Sequence, residues 1–434
     1  MRKEKKFIVL LMVTVLSIAL LGGCGKSASD ANKGDGANSS GNQVQTSGKD
    51  SSEVTKIEFF QTKREATETM DQIIAAFEKE YPNIKVEQNI VPDADTVLMA
   101  RAASDDMPDL FNHYPTDANF LQFAKDGKVK DLTDKPYTAN VIPEYLESVK
   151  VDGKNYIMPF SIEFFGIYYN VDKFEAGGYE VPKTWAELVA LADKIEQDGD
   201  IPFILSNKDS WTISQALVFN IETKDRGSHA EFYQQLLDGK ASFETDSIFR
   251  PALEKTYWMV EHGQPDSISV SYDQAINDFA TGKGVMFPQG IYSLPSLEAA
   301  NPDLNVAMFP MPNDSGNVKE TVRIDMAIAA GKNSNNNEEA VDTFLSYLTS
   351  KEGAQMFSDL DHSLSAIKTV EATIPKAQAV VDSINANRVL DGAAPPAGFE
   401  QAKRSELQTL VMDGDVDKCL KRLDIVWKEA VSGQ

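Results

Sequence analysis

The spacing of apolar residues changes character several times along the chain. A basic start, Arg2, Lys3, Lys5 and Lys6, precedes an unbroken apolar run from Phe7 to Leu21. A bilayer-spanning helix needs about 20 apolar residues, so this shorter run suits the core of a signal peptide better than a permanent anchor. Residues 25–53 hold one Val and no other large apolar side chain, a composition that cannot offset ordering entropy by burial and is expected to form a tether. Globular patterning begins at VTKIEFFQ, residues 54–61, an apolar strand. Met70, Ile73, Ile74, Phe77 and Tyr81 follow at helical spacing until Pro82. NIKVEQNIV then alternates Ile84, Val86, Gln88 and Ile90 as a half-buried strand. Strand, helix and strand in that order predict a βαβ unit and a parallel sheet.

The pattern recurs further along. Thr184 and Glu187 form a capping box before a helix with Leu188, Leu191, Ala192 and Ile195 on one face. GVMFP at 284–288, NVAMFP at 305–310 and Met326 to Ala330 are expected as short buried strands. A helix carrying Val341, Phe344, Leu345 and Leu348 runs into a second expected capping box, Thr349 with Glu352. From about 365 onward the pattern is mostly helical, broken by the loop DGAAPPAG at 391–398. The last helix is expected to bury Val416, Cys419 or Leu420, Leu423, Val426, Trp427 and Ala430.

Composition narrows the possible roles. The 434 residues suffice for two or three domains, and 42 Lys and Arg against 66 Asp and Glu give a formal charge of −24. That acidity argues against nucleic acid as a partner, since phosphate contacts need clustered bases. Two cysteines exclude a disulfide framework and a four-thiolate zinc site. One of them, Cys24, closes Leu21-Gly22-Gly23-Cys24, which resembles a bacterial lipobox. Cleavage before Cys24 and lipidation of its thiol would leave a charge of −27 on a polypeptide held by its lipid to the outer face of the cell membrane, as in a Gram-positive bacterium.

Four segments together resemble the extracellular solute-binding proteins of ABC importers that take sugars and oligosaccharides. They are AAFEKEYPNIKVE at 75–87, GIYYNVDKFEAGGYEVPKTWAELVALADKI at 166–195, FATGKGVMFPQGIYSLPSLEAANPDLNVAMFPMP at 279–312 and EEAVDTFLSYLTSKEGAQMF at 338–357. The third departs from the family pattern, with Tyr292 where a Trp is usual. The resemblance implies an α/β, two-lobed periplasmic-binding-protein-like fold with discontinuous lobes and a three-crossing hinge. The crossings would lie near Glu163–Phe165, Arg323–Ala327 and Asp361–Ala366. One lobe would hold residues 54–163 and 326–363, the other 164–325 and 364–434. Such a receptor would act as a monomer without cofactor or catalysis, closing on a sugar and delivering it to two permease subunits.

Sugars need aromatic platforms for their ring faces and polar groups for their hydroxyls, and in open α/β sheets these collect at the carboxyl ends of strands. The candidates at such places are Gln61, Asn112, His113 and Tyr114, which end expected strands, and Gln289, Gly290 and Tyr292, which occupy the family's aromatic position. Glu163 sits in an otherwise apolar run and would either contact ligand or close an internal salt bridge. Trp211 would stack on ligand or pack, and Arg323 and Asp325 would reach ligand or pair across the hinge. His113 has a solvent-facing loop as its alternative. Trp258 is expected in helical packing.

Other chemistries fit less well. Tyr168 and Tyr169 suggest a ferric site, but adjacent strand residues point to opposite faces. Asp413, Asp415, Asp417 and Asp424 have calcium-loop spacing, yet Lys418 stands where that loop needs Gly, so Asp415 is expected as a helix cap. The four histidines show no triad or H-x-x-x-H spacing, and Cys419 has no activating neighbour in sequence. The competing functions are the same fold with a non-sugar solute, and an anchored glycoside hydrolase using Glu163 and Asp325.

Overall fold

A computed structural model describes residues 54–433, with the side chains of residues 335 and 336 excepted. The expected signal peptide, lipobox and tether lie outside the described residues. No described helix is long and apolar enough to cross a membrane.

β1 (Thr55–Gln61), the helix Thr67–Glu80 and β2 (Ile84–Ile90) form the expected βαβ unit, with β1 and β2 parallel from Thr55↔Ile84 to Gln61↔Ile90. The helix buries Met70, Ile73, Ile74 and Phe77 against the sheet. Alternation fades in the second half of β2, where Gln88 and Asn89 are both half-buried and Ile90 is exposed. β3 (Leu110–His113) joins β1 in parallel.

Two long strands organise the rest. β4 (Met158–Asn170) is buried over nearly its whole length, consistent with a mainly apolar sequence that only Ser161 and Glu163 interrupt before its end. β5 (Met286–Gly290) and β6 (Val306–Phe309) both pair with its second half, and β7 (Glu320–Ala330) pairs with its first. The sheet order is β2-β1-β3-β7-β4-β5. β7 is longer than the five residues expected. β8 (Leu364–Ser365) adds to β4 at Ser161 and Ile162, and β9 (Arg388–Leu390) adds to the start of β7. β9 falls in a stretch read as helical. Three residues give no periodicity, and β9 exists because Glu320–Val322 presents a free edge to it.

These pairings bring the three expected crossings together: Glu163 lies opposite Arg323, Ile162 opposite Ile324, and Ser161 opposite Ser365. The register shifts around Ser161, a bulge of the kind that re-aims side chains beside functional sites. The apolar core is continuous across this line, from Phe59, Phe77 and Phe111 to Phe279, Phe287 and Met308. A separate cluster built on Phe232, Phe243, Phe399 and Trp427 holds the last two helices, Phe399–Asp413 and Val416–Ser432.

Several local expectations can be placed. The Thr184/Glu187 capping box is present, but the second helix start is capped by Ser350, whose side chain accepts the N–H of Gly353 at 3.1 Å. Thr349 instead bonds back to the carbonyl of Leu345. Tyr168 is fully buried, whereas Tyr169 packs on Phe174 and Phe309, so the two hydroxyls do not address one ion. Asp415 caps the last helix through the N–H of Lys418, and Asp424 accepts from Phe243 and Glu244. Cys419 and Leu420 are both buried, and burial pushes the Cys419 thiol up to about 12. Trp258 packs edge-on against Trp185 and Phe203.

Candidate ligand-binding site

The site is built where β4 and β7 cross. Glu163 is 1% exposed and accepts a hydrogen bond from a terminal nitrogen of Arg323 at 2.5 Å. Burial raises the Glu163 carboxyl to about 7; Arg323 works against that rise and Asp325 with it. The Arg323 guanidinium lies 4.3 Å from the ring centroid of Phe219 and 5.3 Å from that of Phe165, a cation held between aromatic faces. Two residues on, Asp325 forms a buried salt bridge with Lys63, which ends the turn after β1. Ser161, freed by the bulge, donates to Asp325 at 3.4 Å and accepts the N–H of Met326 at 3.2 Å. Asp361, at the third crossing, is buried nearby, and its carboxyl is raised to about 7 by burial, opposed by Lys63 and assisted by Asp325.

An aromatic group borders these charges. Phe165, Phe219 and Tyr292 form a buried cluster with Trp211 and Tyr272 packed against it. Trp211 is only partly buried, 5.1 Å from Tyr272 and 6.0 Å from Tyr292 between ring centroids. The Lys63 ammonium lies 5.8 Å from the Tyr292 ring. The Tyr292 hydroxyl donates to Gln289 Oε1 at 3.0 Å. Gly290 allows this fold-back, because a Cβ there would stand 2.2 Å from the Tyr292 ring. Its role is therefore to seat Tyr292.

The remaining expected residues divide. Tyr114 is 38% exposed, while its hydroxyl is pushed up by desolvation and lies in the field of Lys63, Asp325 and Glu163. Gln61 is engaged with Gln88 and with the backbone of Lys63. Asn112 accepts the N–H of Thr62 at 2.7 Å and fixes the same turn. His113 is buried among Phe111, Phe120 and Phe123, in neither a solvent-facing loop nor an open strand end. Sequence reasoning missed Lys63, Asp361, Ser161, Phe219 and Tyr272 as site residues. Asp361 carried a usable signal, a charged residue inside an expected hinge crossing. Phe219 carried none, since nothing in sequence distinguishes it from a core phenylalanine.

Among the described residues, the buried polar atoms here that have no hydrogen-bond partner include Gln289 Nε2, Arg323 Nε, Asp325 Oδ1 and Asp361 Oδ2. A buried polar group left unpaired costs about 1–3 kcal/mol. Two donors and two acceptors in one neighbourhood, beside a partly exposed tryptophan, form an arrangement that hydroxyl groups on a flat-faced ring satisfy.

Residues 62–355 match the family model for bacterial extracellular solute-binding proteins. The chain is 31% identical over 372 residues to the multiple sugar-binding protein of Streptococcus mutans, covering 85% of this chain and 84% of the other. Among solved structures, the solute-binding protein RafE in complex with raffinose superposes with a TM-score of 0.78 at 27% identity, over 87% of this chain and 99% of that one. The apo form of RafE from Streptococcus pneumoniae gives 0.70 at 26% identity, over 87% and 98%.

Proposed function

The chain belongs to the bacterial extracellular solute-binding proteins, and we propose from this that it is the sugar- or oligosaccharide-binding receptor of an ABC importer. The observation that carries the reading is the set of unpaired polar atoms at the β4–β7 crossing beside the Trp211–Tyr292 aromatic group. Sugar hydroxyls pair with Gln289, Arg323, Asp325 and Asp361, Glu163 orients Arg323, and Trp211 lies against a sugar ring face. Tyr114 borders the entrance. The relatives' names and the raffinose complex support a sugar as the solute.

In this reading the lobes comprise residues 54–163 with 326–363, and 164–325 with 364–434. They close on ligand about the three paired crossings. The protein works as a monomer, catalyses nothing, and hands its ligand to a two-subunit permease. Cys24 carries the lipid that keeps it at the outer face of the membrane, with residues 25–53 as the tether.

Thermal unfolding in the presence of raffinose, stachyose, maltotriose and monosaccharides tests the proposal. A binding sugar raises Tm in proportion to the logarithm of its free concentration over Kd and releases no new reducing ends. Unchanged Tm across the panel, or hydrolysis, overturns it.

A further inference from the structure

A second buried charge cluster sits behind the aromatic group. His229 directs Nδ1 at Asp391 Oδ2, 2.8 Å away, and Nε2 at Glu222 Oε2, 3.1 Å away. Carboxylate oxygens only accept, so both ring nitrogens carry hydrogen and the imidazole is a cation. The ring stacks on Phe219 at 5.5 Å and 22°, and Phe219 is the residue that carries Arg323. The order is therefore Glu163, Arg323, Phe219, His229, and then the carboxylates of Glu222 and Asp391.

Asp391 connects this group to the hinge directly. It follows β9, its N–H donates to the carbonyl of Val322 at 3.0 Å, and its charge acts on Arg323. Phe219 ends a π-helical segment, Ile213–Phe219, a local widening that recurs at functional sites.

We propose that His229 is a positioning residue for the ligand site: by neutralising Asp391 and stacking on Phe219, it leaves the Arg323 guanidinium to Glu163 and the ligand. Loss of the His229 proton turns a ring lone pair toward a carboxylate and leaves the Asp391 charge without its counter-ion. Still held in place by Ser228, Ala393 and the His229 backbone, that charge then pulls on Arg323 against Glu163.

The groups facing His229 leave it as the titrating member under alkaline conditions. Burial opposes its charge, but Glu222 and Asp391 outweigh burial and hold it up to about 9. Glu222 and Asp391 are kept below their ordinary values. Arg226, paired with Glu222 and Asp246, is raised, and burial lifts the neighbouring Tyr233 hydroxyl well above its usual range. Ser228, which donates to Asp391 at 2.9 Å, does not titrate.

The test follows the Nε–H resonance of Arg323 in full-length protein labelled with ¹⁵N-arginine, assigned by its loss in Arg323→Lys. Between pH 7.5 and 10.5, the resonance of the ligand-free protein is expected to shift with a midpoint near the His229 value. The shift disappears in His229→Gln, and its midpoint falls by roughly one unit in Asp391→Asn. A resonance that is flat in the wild type, or that titrates unchanged in the Asp391 variant, overturns the proposal even if the His229 variant does not fold.

The consequence for affinity rests on the sugar-receptor reading. Raffinose binding is expected to weaken about fivefold from pH 8 to pH 10 in the wild type and not in His229→Gln. Failure of every sugar to bind would refute the receptor reading, while the ligand-free Arg323 titration still decides the role of His229.

Discussion

Strand β7 carries three ion pairs, one at Glu320 and two farther along at Arg323 and Asp325, and the first differs from the others in a way that separates scaffold from site. At its start, Lys224 donates to Glu320 Oε2 at 2.6 Å, and Ser383 donates to Oε1 at 2.7 Å. Both carboxylate oxygens are used. Farther along, Arg323 and Asp325 also have charged partners, Glu163 and Lys63, yet Nε of one and Oδ1 of the other are left without partners. The first pair is complete without ligand and the other two are not. Burial alone marks none of them as functional, because all lie inside the protein; the unmet hydrogen-bonding capacity distinguishes them.

The largest expected effect is at the complete pair. Lys224→Met leaves Glu320 buried without a counter-ion and is expected to cost about 3–5 kcal/mol in urea unfolding, with sugar affinity kept in the protein that remains folded. At the incomplete Asp325–Lys63 pair the balance reverses. Asp325→Asn is expected to reduce stability by no more than about 2 kcal/mol, because Lys63 still has Glu65 at 3.7 Å and the charge of Asp361 nearby. Its sugar affinity should fall at least tenfold by calorimetry, through loss of a charged acceptor. If the two variants behaved alike in both assays, the distinction would collapse.

Trp211→Ala is expected to weaken sugar binding about tenfold, in line with a lost aromatic contact, with Tm nearly unchanged. The smallest effect concerns pH. Glu163 and Asp361, raised to about 7, bind protons more tightly folded than unfolded, so they stabilise the ligand-free protein as pH falls from 8 to about 5. That is opposite in sign to a carboxylate whose ion pairs outweigh burial, such as Glu400, lowered to about 2 by its lysine and arginine neighbours despite burial. Glu163→Gln should flatten part of the rise in Tm over that range, and an unaltered slope would remove Glu163 from this role.

Much of the fold could be read from the sequence because it follows from local periodicity. The βαβ unit at 55–90 and the Thr184 capping box need only neighbouring residues. β9 and the full length of β7 could not be seen, since they depend on edges supplied by distant strands. The site divides the same way. Glu163 stood out as a lone carboxylate in an apolar run, and Arg323 and Asp325 as charges in a crossing. Asn112 and His113 lie at the end of β3, where Phe120, Phe123 and Thr62 occupy them. Lys63 was missed because its partner lies 262 residues away.

The most direct test of the central claim is calorimetric titration of raffinose and stachyose into the wild type, Asp325→Asn and a Glu163→Gln/Asp325→Asn double variant at pH 7.5. At least one of these sugars is expected to bind the wild type saturably and one-to-one, the single variant at least tenfold more weakly and the double variant not measurably. Equal affinity in all three proteins would contradict it, because the unpaired groups at the hinge would then not be where the sugar binds.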